Sequence, residues 1–187
     1  MAAQTDSQFI LCSGKSSNVT AVPKSLRLVN AYALFAAGHV FKLDLTGLDV
    51  DALVDAWPSL EQEQERALEV FRGFPAPKLG YVQISQKYGE KAAVRAELSR
   101  LKAEWPALKE RLQGQVYSFA KMQELFRIAG APYETEHIGV SHAQLRDMFP
   151  KVQLLRARYN LLDLAMRGGF YDAIVEPVFA QGGPWEV

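Results

Sequence analysis

Three histidines, His39, His137 and His142, are the natural starting points for metal or acid–base chemistry in this chain. Two rings share a helix face when they lie about four residues apart. His137 and His142 are five apart with Gly139 between them, which reads as surface or helix-capping roles. His39 sits in the most apolar stretch, residues 31–41, close to Asp44. A neutral imidazole there suits either a core histidine with one hydrogen-bonded nitrogen or a metal ligand. Cys12 has no base beside it and reads as a small buried apolar residue rather than a nucleophile. Asp49, Asp51 and Asp55 lack the spacing and glycine of a calcium loop. Negative charge at a helix start accounts for them. Gly14-Lys15-Ser16 ends as a phosphate-binding loop does, but Phe9 stands where that motif needs its first glycine, so a flexible polar turn is the reading. Arg156 and Arg158, two apart, point in different directions on a helix and make no single anion clamp. No G-x-G-x-x-G occurs, so the chain holds no visible dinucleotide-binding half.

The elements that must position these residues follow from composition and periodicity. The chain has 187 residues, 49% hydrophobic and 22% charged. That is ordinary for a soluble globular protein and long enough for a core without staples. Lys and Arg number 21, as do Asp and Glu, so net charge is zero. This argues against nucleic acid or an anionic membrane as the main partner. A single cysteine excludes an internal disulfide and points to a reducing, cytoplasmic setting. A spanning helix needs about 20 apolar residues, whereas the run 31–41 contains Gly38 and His39 and meets Lys42. The stretch from Phe9 to Cys12 is too short for a signal-peptide core.

Residues 1–22 read as an extended arm and residues 23–170 as a helical domain. Residues 171–187 read as a tail, a short helix followed by a loose end. Pro23 suits a first helical turn, and Leu26, Val29, Tyr32, Ala36 and Val40 follow on one face. Asp49 or Asp51 caps a short helix through Trp57. After Pro58 and Ser59, an apolar stripe of Leu60, Ala67, Leu68 and Phe71 opposes solvated Glu61, Glu63, Glu65 and Arg66. Helices follow over 79–88 and 90–104, with a break or kink at Pro106. Ser118 caps a helix over 119–129, and Ser141 caps one through Phe149. A long helix over 151–167 places Val152, Leu155, Tyr159, Leu162 and Ala165 or Met166 inward, and Gly168-Gly169 ends it. The expected fold is all-α, a multi-helix bundle with a short N-terminal extended arm.

Four segments carry a family resemblance: "ISQKYGEKAA", "AEWPALKERL" with Trp105, "LFRIAGAPYETEHIGVSHAQLR" and "LLRARYNLLDLAMRGG". In this order they resemble the C-terminal helical domain of the glycerol-1-phosphate dehydrogenase family, which belongs with the iron-containing alcohol dehydrogenases. The resemblance covers roughly half the chain, from about Ile84 onward. It implies NAD(P) bound by an N-terminal α/β domain and a divalent metal held by an Asp and two His. The metal acts as a Lewis acid during hydride transfer. His39 lies at about the right distance upstream to occupy a metal-histidine position. It is followed by Val40 rather than by the family's glycine, and no histidine precedes it. The implied function is that of a divergent or truncated relative of a metal- and NAD(P)-dependent glycerol-1-phosphate dehydrogenase, without the nucleotide-binding domain. Such a chain works with a nucleotide-binding partner chain or as a homo-oligomer. The alternative is a non-catalytic helical interaction or regulatory module that acts as an oligomer through Tyr32, Phe35, Phe41, Trp57 and Phe71. A small-ligand bundle is a third reading, for which the sequence shows no polar constellation.

Overall fold

The computed structural model describes residues 38–187. The expected arm over 1–22, the helix from Pro23, Cys12 and the Gly14–Ser16 turn lie outside the described residues. Within them all regular structure is helical. The α-helices are α1 (Val50–Asp55), α2 (Leu60–Val70), α3 (Leu79–Lys87), α4 (Lys91–Gln113), α5 (Phe119–Ile128), α6 (His142–Arg146), α7 (Phe149–Gln153), α8 (Leu161–Arg167) and α9 (Tyr171–Phe179). Two 3₁₀ turns, Leu45–Gly47 and Thr135–Ile138, complete them. None of these helices is long and apolar enough to cross a membrane.

Local chemistry starts most of these helices where the sequence places them. Asp49, rather than Asp51, caps α1 by accepting from the Ala52 N–H. Ser59 and Gln62 form a reciprocal capping box on α2, and Ser141 and Gln144 do the same on α6. Ser118 caps α5 as expected. The main core gathers Leu98, Leu145, Phe149, Leu162, Ile174, Phe179 and Trp185. Its aromatic rings meet edge to face, Phe149 on Phe179 at 5.3 Å and Phe119 on Trp185 at 5.4 Å. A smaller cluster, Ala67, Phe71, Ile84 and Leu154, seals α2 to α3.

Five expectations are corrected. Of the break or kink expected at Pro106, the break does not occur: α4 runs through it for 23 residues. The carbonyl that loses its N–H partner belongs to Lys102, which is exposed and can bind water instead. The helix expected over 151–167 is two helices, α7 and α8, because Asn160 accepts from the Leu162 and Asp163 N–H groups and starts a new one. Tyr159 consequently lies 43% exposed rather than on a buried face. The helix from Ser141 stops at Arg146, and Pro150 sits in the first turn of α7. Glu63 is buried and Arg66 half-buried, while Leu68 is exposed. The C-terminal segment is packed rather than loose. Trp185 is fully buried, and the Trp185 and Val187 N–H groups donate to the Val178 and Phe179 carbonyls at 3.1 and 3.2 Å.

Candidate functional site

His39 lies in the first described helical turn, half-buried beside core residue Val40. Burial, then the charge of Lys42, holds its imidazole below the usual histidine range. It is therefore neutral near pH 7, the form that ligates metals. Among the described residues no group of three His, Cys, Asp or Glu side chains could hold a metal ion with it. Of the other histidines, His137 has a capping role and His142 reaches the C-terminal segment. His137 Nδ1 accepts from the Tyr133 and Glu134 N–H groups at 3.4 and 3.3 Å. The His142 Nδ1 lies 3.0 Å from the Glu186 carbonyl. Asp51 pairs with Arg95, and the Asp55 carbonyl accepts from Lys91, so the aspartate cluster is used in helix packing. Arg156 and Arg158 are exposed on the irregular segment between α7 and α8.

The structure places its densest polar chemistry elsewhere. α3 presents Gly80, Ile84 and Lys87 on its buried face, so Lys87 enters the interior by helical register. Its Nζ lies 2.6 Å from Asp163 Oδ1, with both side chains under 5% exposed. It also donates to the Gln153 carbonyl. Asp163 holds two further partners. Gln153 Nε2 donates to Oδ1 at 2.6 Å, and the Asn160 N–H donates to Oδ2 at 2.9 Å. One carboxylate thus completes the capping box of α8 and neutralises a buried lysine. Gln153 accepts from Arg66 at 3.0 Å through its Oε1, and Arg66 grips buried Glu63 through Nε and Nη2 at 2.9 and 2.8 Å. Burial pulls the Lys87 ammonium below the ordinary lysine range, while the charge and hydrogen bond of Asp163 oppose that shift.

A second ion pair stands at the edge of this network. Arg167 donates to Glu97 at 2.6 Å and to the Lys87 carbonyl at 3.0 Å. Its guanidinium lies over Tyr159 at 4.8 Å and over Trp57 at 5.8 Å. Gly89 makes the room: a Cβ there would sit 2.9 Å from the Arg167 Nη2. The Gly89 carbonyl accepts from Trp57 Nε1 at 2.9 Å, and the Tyr88 hydroxyl donates to the Pro58 carbonyl at 2.7 Å. Burial, followed by the hydrogen bond and charge of Glu97, raises the Tyr159 phenol above its usual range.

Of the aromatic residues proposed from sequence as an outer surface, one is buried and two are half-buried. Phe71 is fully buried, Phe41 stacks on Trp105 at 6.4 Å and Trp57 stacks on Tyr88 at 6.2 Å. Tyr32 and Phe35 lie outside the described residues. The sequence reading missed Lys87, Asp163, Gln153, Arg66 and Arg167. Two signals for them exist: the register of Lys87 with Ile84 and Gly80, and the Asn160-x-x-Asp163 spacing of a capping box. No family model, no curated protein and no solved structure matches this chain.

Proposed function

We propose that this chain is a divergent or truncated helical half of a glycerol-1-phosphate dehydrogenase-like oxidoreductase, acting beside a nucleotide-binding domain supplied by another chain in a cytoplasmic setting. One observation carries the reading. Resembling segments far apart in sequence share the same polar links: residues 84–93 supply Lys87, and residues 154–169 supply Asp163 and Arg167. Two of the four resembling segments thus pack on one another. The resemblance implies NAD(P) and a divalent metal. The described residues do not by themselves fit the metal, since His39 has no pair of further donors among them. No chemical step is assigned to them, and their role is to hold helices in place.

The test uses the full chain with zinc, NADH and dihydroxyacetone phosphate, alone and mixed with the separately expressed nucleotide-binding domain of a glycerol-1-phosphate dehydrogenase. The expected result is no turnover alone, with co-elution and turnover in the mixture. Turnover by the chain alone removes the need for a partner. Neither co-elution nor turnover in the mixture removes the family reading.

A second reading, a non-catalytic oligomeric helical module, has one observation in its favour. Leu68, Tyr81 and Val82 are 40%, 38% and 46% exposed on the α2–α3 hairpin, which Gln64 and Ser85 cross-link at 2.8 Å. If that face mediates self-association, Leu68→Glu with Tyr81→Lys converts an oligomer to a monomer in sedimentation velocity. An unaltered chain that is monomeric at its highest attainable concentration ends this reading.

A further inference from the structure

Between α2, α7 and the start of α9 lies a cleft of about 360 Å³. That is within the range of small-molecule sites, roughly 300–1,000 Å³, and at its lower end. Three polar side chains on its lining have hydrogen-bonding capacity left over, although Arg66 is already paired with Glu63. Arg66 spends Nε and Nη2 on Glu63 and Gln153, and Nη1 makes no hydrogen bond. The Tyr171 hydroxyl is buried and unbonded. Asp172, exposed at the rim, makes no ion pair. Burial raises the Tyr171 phenol, so it remains a donor at neutral pH. Arg66 acts on that phenol with one sign, and Asp172 and Glu176 act with the other. Pro150 and Met166 supply apolar wall, with Gly169 beside them on the lining.

A buried hydroxyl with no partner is destabilising by about 1–3 kcal/mol, and such groups mark positions completed by a water or a ligand atom. The charges decide which ligand. A simple anion meets Asp172, and a simple cation meets Arg66. A molecule carrying both charges, donor end to Asp172 and acceptor end to Arg66, satisfies the lining throughout. Met166, unbranched and mobile at three bonds, gives the cleft a wall that can adapt to a ligand's shape. We propose that this cleft binds a small zwitterion of the α-amino acid class with an apolar side chain, its carboxylate on Arg66 and Tyr171 and its ammonium on Asp172. The proposal is independent of any dehydrogenase activity, and the cleft is too small for a dinucleotide.

The experiment is a ¹H–¹⁵N titration of the full chain with L-leucine, acetate and isobutylamine in parallel. Leucine is expected to give saturable shifts of amides at residues 66, 153, 166 and 169–172. Acetate and isobutylamine should bind at least about tenfold more weakly, the loss of one charge-assisted contact. Asp172→Asn, remote from the buried network, should weaken leucine by about tenfold with melting temperature unchanged. Tyr171→Phe should weaken leucine by severalfold while raising the melting temperature, because the orphaned hydroxyl is gone. Absence of saturation with leucine overturns the proposal. So does acetate binding as tightly as leucine, or unaltered leucine affinity in Asp172→Asn.

Discussion

The Lys87–Asp163 and Arg167–Glu97 pairs tie the same two parts of the chain, the corner between α3 and α4 and helix α8. They do so under opposite conditions. Lys87 and Asp163 are closed off from water, and both oxygens of the carboxylate hold partners. Arg167 and Glu97 sit at the edge, 12% and 28% exposed, where two aromatic faces and a main-chain carbonyl supplement the ion pair. The contrast teaches that intactness matters more than presence. A buried pair adds little beyond a well-packed apolar pair, yet removing one member strands a charge with no solvent to receive it. At the edge, water replaces whatever is lost.

The contrast can be broken in order of effect. Asp163→Leu strands the Lys87 ammonium and deletes the α8 cap, and urea unfolding should register a loss of about 3–5 kcal/mol. Lys87→Met should cost clearly less, because Asp163 keeps Gln153 and the Asn160 N–H. Equal losses in the two variants would show that the carboxylate's other partners do not sustain it. Arg167→Leu should cost about 1–3 kcal/mol, from its hydrogen bonds to Glu97 and the Lys87 carbonyl and from the aromatic contacts. Gly89→Ala pushes a methyl at the Arg167 guanidinium and should lower stability by about 1 kcal/mol. In the Arg167→Leu background that penalty should vanish, and its persistence would place the strain elsewhere.

The pH dependence separates the buried pair from the Tyr171 cleft. The Lys87 value is lowered from 10.5 in the folded chain. Between its folded value and 10.5 the unfolded chain binds more protons, so Lys87 makes stability rise with pH through that window. The Tyr171 value is raised from 10.0. Its contribution is complete below pH 10 and is lost as pH climbs toward the folded value, because the unfolded chain releases its proton first. Urea midpoints from pH 8 to 11 should therefore flatten on the rising limb in Lys87→Met and on the falling limb in Tyr171→Phe. Unchanged curves in either variant would remove that group from the account.

How much was legible depended on range. The starts of α1, α2, α5 and α6 were readable because Asp49, Ser59, Ser118 and Ser141 each bond an N–H within three residues. The Asn160 cap was equally local, but the apolar spacing from Val152 to Met166 obscured it. The polar centre was not readable in this way, for Lys87 and Asp163 lie 76 positions apart and neither looks unusual among its neighbours. Glu63 reads as a solvated acid until Arg66 and Gln153 are placed beside it.

The sequence by itself determined a helical chain with most of its starts, one cysteine and no net charge. Those properties follow from composition, short spacings and hydrogen bonds between near neighbours. Tertiary structure alone decided that α4 runs through Pro106 and that Trp185 closes the core. It also brought Lys87, Asp163 and Arg66 into one buried network. Burial of a charge is set by partners that the chain brings from far away, and no local rule encodes their arrival.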